Sequence, residues 1–175
     1  MNALVHETIT LSRRIPFPCA EVWDAYADPA RRCVWGVPAG EGIEYAAEHF
    51  REGGRESYRC GQLGSLDFLV EAQYLRVVEQ QLIVYAETVW TNETPLSSAL
   101  VSWTLEPLGG ATQVAVTSQV TSFVGAGMIE GSRSGHRIVL AQLGTFLADA
   151  AADAPDPGGM EGPGATASAS SDQKP

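Results

Sequence analysis

The chain has 175 residues, 45% of them hydrophobic and only 18% charged, with a net charge of −10. That composition supports one domain with a full core and excludes a chain disordered throughout. With no basic face or arginine-rich arm, the electrostatic drive for nucleic-acid binding is missing, so no nucleic acid is expected as a partner.

Nowhere do eighteen apolar residues run together, and "MNALVHETITLSRR" has no positive segment ahead of an apolar stretch. No membrane insertion and a cytoplasmic location are therefore expected. Cys19, Cys33 and Cys60 are odd in number and lack a C-x-x-C spacing, so they are read as small buried hydrophobes rather than a disulfide frame or a zinc knuckle.

The opening "VHETITLSRRI" alternates, with Val5, Ile9 and Leu11 at even spacings, and predicts a first strand over 5–15. "PFPCAEVWDAYADPARR" then changes period. Cys19, Val22, Trp23 and Tyr26 form the apolar stripe of a helix, with Pro18 suited to its first turn. Asp28-Pro29 ends it, and a short second helix is expected around 30–34.

From Ile43 to Val124 the pattern is strands and turns: an antiparallel meander. Gly109-Gly110 suits a hairpin connection that needs positive φ, and Val101, Trp103 and Leu105 share one strand face, as do Val114 and Val116. Helical spacing returns over 130–150, where His136, Leu140, Leu143 and Leu147 share a face. Beyond Ala152 the Pro, Gly, Ser and Ala content leaves almost nothing to bury, and a disordered tail over 153–175 is expected; −4 of the net charge of −10 lies from Asp149 onward.

Three motifs raise chemistry and are set aside. Gly53-Gly54 in "HFREGGRESYRC" sits among Arg51, Arg55 and Arg59, as a phosphate cradle would, but no lysine follows and the segment runs into a strand. A glycine turn that lets a strand bend is the better reading. "GAGMIEG" has the wrong spacing for a dinucleotide fingerprint and reads as a flexible strand-to-helix connection. "GSRSG" has Arg133 where a nucleophile elbow needs serine, so Ser132 or Ser134 is expected to cap the last helix.

His6, His49 and His136 lie far apart and without metal-site spacing, and no metal or cofactor is expected. His136 has two readings: a satisfied, semi-buried histidine, or a polar or proton-transfer group in a cavity.

Several segments together resemble one known group, the START-like SRPBCC domains of the heat-shock-protein-90 ATPase activator type. "RRIPFPCAEVWDAYADPARRCVWG" is similar to its opening, where an apolar residue and proline precede EVW, then DP and a tryptophan. "FREGGR" is similar to its DFRxGGR stretch, "QYLRVVEQQLIVYAET" and "VSWTLEPLGGATQVAVT" to its central strands, and "GSRSGHRIVLAQLGTFL" to its closing helix. His49 stands where the group usually carries aspartate, His136 where many carry tryptophan, and "VVEQQ" lacks the group's proline and arginine.

The resemblance covers about residues 8–148. It implies an α+β helix-grip fold: a curved antiparallel sheet wrapped around a long C-terminal helix, with two short helices after the first strand and a hydrophobic cavity, all within 1–152. Trp35, Tyr58, Phe68, Tyr74, Tyr85, Trp103, Met128, His136 and Leu140 are expected to line that cavity. The expected partner is an apolar or aromatic small molecule. A cyclase- or dehydratase-like enzyme using His136, a chaperone contact and a homodimer are the alternatives the resemblance leaves open.

Overall fold

The computed structural model describes residues 4–153. Its elements are β1 (Val5–Ile15), α1 (Cys19–Ala27), α2 (Pro29–Trp35), β2 (Glu41–Glu48), β3 (Arg55–Gln62), β4 (Ser65–Val78), β5 (Leu82–Thr91), β6 (Thr94–Leu108), β7 (Ala111–Ser122) and α3 (Gly127–Ala152). The strands form one antiparallel sheet in the order β1-β7-β6-β5-β4-β3-β2, so the first strand returns to pair with the last. This is the expected α+β helix-grip arrangement, with β2 as a strand that the sequence reading did not separate from the meander. Most of the segment expected to be a disordered tail lies outside the described residues.

The two halves of the sheet differ. The β1–β7 and β6–β7 pairings run without a register shift. Every pairing from β2 to β6 is interrupted once, at Tyr45/Ala47, Cys60/Gln62, Tyr74/Arg76 and Val89/Trp90. Each bulge bends its strand and increases the local twist, so this half curls. The regular half instead packs densely: Ile9, Ile15, Val101, Trp103, Leu105, Val114 and Val116 are buried against Val22 and Tyr26 of α1 and Leu140, Leu143 and Leu147 of α3.

Asp28 serves both short helices. Its backbone N–H donates to Asp24 at the end of α1, and its side chain accepts from the Ala30 N–H at 2.9 Å to start α2, with Pro29 already fixed in helical φ. Gln142 of α3 donates through Nε2 to the carbonyls of Trp35 (2.8 Å) and Val37 (2.6 Å), tying α2 to the long helix.

The start of α3 departs from expectation. The helix begins at Gly127, with Ala126 at the cap and no side-chain cap, so Ser132 and Ser134 lie inside it. Only Gly125, at φ +94°, acts as the connection. Gly127 and Gly131 are helical, and their low intrinsic propensity disguised the first turns as a loop. Arg133 pairs with Glu7 of β1.

The double glycine is a turn, as read. Gly53 has φ +75° and donates to the Tyr74 carbonyl at 2.9 Å, while Tyr74 donates to the Gly54 carbonyl at 2.9 Å. Arg51, Arg55 and Arg59 are exposed. A Cβ on Gly54 would stand 1.9 Å from the His49 carbonyl oxygen, so that position tolerates no side chain. Gly54→Ala should therefore cost roughly 3 kcal/mol or more in urea denaturation. Gly53→Ala, with open space around its Cβ, should cost about 1–2 kcal/mol from the positive φ alone.

Candidate functional site

A cavity of about 580 Å³ lies between the curled half of the sheet and the first half of α3. Its size falls in the range of small-molecule sites. A broader hollow of about 730 Å³ over residues such as Arg55, Glu71, Gln73 and Thr88 is a polar concavity of the opposite sheet face, open to water.

Small residues on two facing surfaces create the inner cavity. Strand register sets Glu56, Ala72, Glu87, Ala99 and Val120 in one row across β3 to β7, and Tyr58, Val70, Val89 and Ser97 in a neighbouring row. All nine line the cavity, and the floor at Ala72, Ala99 and Ser97 is low. Opposite them α3 presents Gly131, Ser132, Ser134 and Gly135. Where the same helix changes to Leu140, Leu143 and Leu147, the space is filled.

Of the residues expected on the wall, Trp35, Tyr58, Phe68, Tyr85, Trp103, Met128 and His136 are there. Tyr74 and Leu140 are not. Tyr74 is 1% exposed with its hydroxyl turned to Arg32, and Leu140 is turned into the filled end of the core. The cysteine expectation needs a correction as well. Cys33 is exposed, because Arg32 and Trp35 occupy the inward face of α2, and Cys19 and Cys60 are only half-buried.

The sequence reading missed the ionisable groups. Arg32 of α2 is 5% exposed and lies 2.6 Å from Glu56 and 3.4 Å from Glu48, while donating to the Tyr74 hydroxyl at 2.9 Å. The close Glu56 contact is an ion pair without an aligned hydrogen bond, and Arg32 Nε has no partner. Tyr26, Tyr45 and Phe50 surround the guanidinium at 5.2, 5.4 and 5.8 Å from ring centre to carbon, a cation–π cage. Burial raises the Glu56 pKa, with Arg32 pulling in the opposite direction.

Glu87 stands apart from this cluster. It has neither an ion-pair nor a hydrogen-bond partner among the described residues. Burial pushes its pKa up to about 7, with the charge of Glu56 adding to the effect. It is half-buried and lines the inner cavity. His136, across the cavity on α3, makes no hydrogen bond, and burial lowers its pKa to about 4, so it is neutral at pH 7. Trp103 Nε1 is buried and has no hydrogen-bond partner. No group of three His, Cys, Asp or Glu assembles as a metal site among the described residues, and none of their helices is long and apolar enough to cross a membrane.

Two predictions follow from the charges. Arg32→Met should destabilise the fold by about 3–5 kcal/mol, because Glu56 is left buried and unpaired. A denaturant double-mutant cycle should show the added Glu56→Leu recovering most of that loss. The second concerns pH. Folded Glu87 holds its proton above the ordinary 4.5, so its contribution to stability falls as pH rises from about 4.5 to 7. Folded His136 loses its proton below the ordinary 6.5, so its contribution rises with pH from about 4 to 6.5. Thermal melts of Glu87→Gln should thus gain stability relative to the parent as pH goes from 5 to 8, and those of His136→Phe should gain most at pH 5.

Known proteins place this geometry. No match was found among curated proteins. The Mll3558 protein of Rhizobium loti superposes with a TM-score of 0.73 at 30% identity, covering 83% of this chain and 99% of that one. An uncharacterised protein of Rhizobium leguminosarum gives 0.75 at 27%, covering 85% and 99%. DynU16, described as a putative protein in the dynemicin biosynthetic locus, shares the fold at 19% identity and a TM-score of 0.63, with 82% of this chain matched to 48% of that one. Residues 16–148 match the model of the family described as Activator of Hsp90 ATPase homolog 1-like protein. The chain belongs to that family, with the SRPBCC, START-like fold.

Proposed function

We propose that the protein binds an apolar or aromatic small molecule in the cavity between the sheet and α3. The observation that carries this reading is the pairing of small residues: Ala72, Ala99 and Ser97 on the sheet face Gly131, Ser134 and Gly135 on the helix. A core selected for stability alone would fill this space, since unfilled volume costs stability. The walls of Trp35, Tyr58, Phe68, Tyr85 and Trp103 suit flat rings.

A second reading has an observation of its own. His136, neutral at pH 7, and Glu87, titrating near neutrality, line the same cavity, as a general base and a general acid would. A cyclase or dehydratase step would use that pair, and His136→Phe would abolish turnover while sparing binding. The chaperone contact rests on the family's description alone.

The cavity reading is tested with Ala99→Leu, which should fill the floor. The parent should bind an environment-sensitive apolar dye and melt at a higher temperature with it. The variant should bind at least about tenfold more weakly while melting no lower without dye. Equal binding by the two proteins would place the dye elsewhere and contradict the reading.

A further inference from the structure

The charge balance of the cavity narrows the ligand class. Its wall carries three carboxylates, Glu41, Glu56 and Glu87, and one cation, Arg32. Arg32 is committed: Glu56 and Glu48 hold its guanidinium, and three aromatic rings enclose it. Among the described residues Glu87 is left with no partner, on a strand whose neighbours in the row, Ala72 and Ala99, carry no charge to neutralise it. Tyr58 and Tyr85 lie beside it on the same wall. A half-buried carboxylate without a partner, on a wall rich in aromatic side chains, is the environment that favours an organic ammonium. The net charge of −10 also draws cations toward the molecule.

Resting on the cavity reading above, we infer that the natural ligand is an aromatic or polycyclic amine whose ammonium group docks on Glu87, with its rings against the Tyr and Trp wall. The amine gives the carboxylate the counter-charge that the fold withholds. A ligand without it binds through its rings alone.

Binding is then linked to protons. Glu87 titrates at about 7 in the empty protein, so amine binding near neutral pH displaces a proton from it. Several other titratable groups on the wall keep one protonation state between pH 5 and 8. His136 of α3 has already lost its proton above about 4, and Cys60 keeps its own up to about 11. Tyr26 of α1, Tyr45 of β2, and Tyr58 and Tyr85 of β3 and β5 stay protonated, with pKa values raised by burial. Arg32 stays charged and is ion-paired with Glu56, whose pKa burial raises and Arg32 pulls back down, and Glu41 lines the β2 side. The inward residues of β4, β6 and β7 are not titratable: Phe68, Val70 and Ala72, then Ser97, Ala99 and Trp103, then Val120.

The test is calorimetric titration of the parent and Glu87→Gln with naphthylethylamine and with naphthylethanol, its neutral counterpart. The expected result is an amine preference of about tenfold at pH 8 in the parent that disappears in the variant. Amine affinity in the parent should also weaken by up to about tenfold per pH unit below 7, with proton release seen by comparing buffers of different ionisation enthalpy. Alcohol binding retained by the variant shows that it folds. Should the variant fail to fold, the pH dependence and proton release of the parent decide alone. Equal binding of amine and alcohol by the parent, with no proton release, overturns the amine assignment and leaves the cavity reading standing. An amine preference that survives in Glu87→Gln overturns the role of Glu87. Binding of neither probe overturns both.

Discussion

A single buried guanidinium organises the site. Arg32 comes from a seven-residue helix too short to hold itself together in water, and it is fixed by what it meets: Glu56 of β3, Glu48 of β2, the Tyr74 hydroxyl of β4 and the faces of Tyr26, Tyr45 and Phe50. These contacts join α1, α2 and the curled edge of the sheet at one point. A charge this deep is tolerable only because it is paired and enclosed. The arrangement lines one end of the cavity and commits the only cation on its wall among the described residues.

From that fixed end the hollow follows from side-chain size. The sheet is bulged where it must curl, across β2 to β6, and regular where it packs, across β1, β7 and β6. The long helix makes the same division along its length, with glycine and serine opposite the curled half and leucine opposite the regular one. Weak helix propensity in the first half is the cost of leaving room, and packing of the second half against the core offsets it.

The architecture was legible because period and punctuation agreed: alternation in the strands, helical spacing at Cys19–Tyr26 and around Leu140–Leu147, paired glycines at the hairpin. The start of α3 was not, since Gly125, Gly127 and Gly131 look alike in sequence while only the first has a left-handed backbone. The aromatic residues of the wall were legible as a set, but alternation alone did not say which of their tips face inward. The carboxylates beside them carried the same signal unread. Glu56 lies two residues from Tyr58 and Glu87 two from Tyr85, so strands that turn those tyrosines inward turn the acids inward as well. Arg32 lies three residues before Trp35 on one helix face, but its depth depends on Glu56, Tyr74 and Tyr26 arriving from elsewhere in the chain, which local pattern does not encode.

The space under the curled sheet is the proposed binding site. Methyl NMR during titration with naphthylethanol addresses this directly, because alanine and leucine methyls mark both sides of the sheet. Shift changes should concentrate on Ala72, Ala99, Val70 and Val89, which line the cavity, while Leu75 and Leu100 on the exposed side stay still. Perturbation of Leu75 and Leu100 with an unmoved floor would contradict that placement.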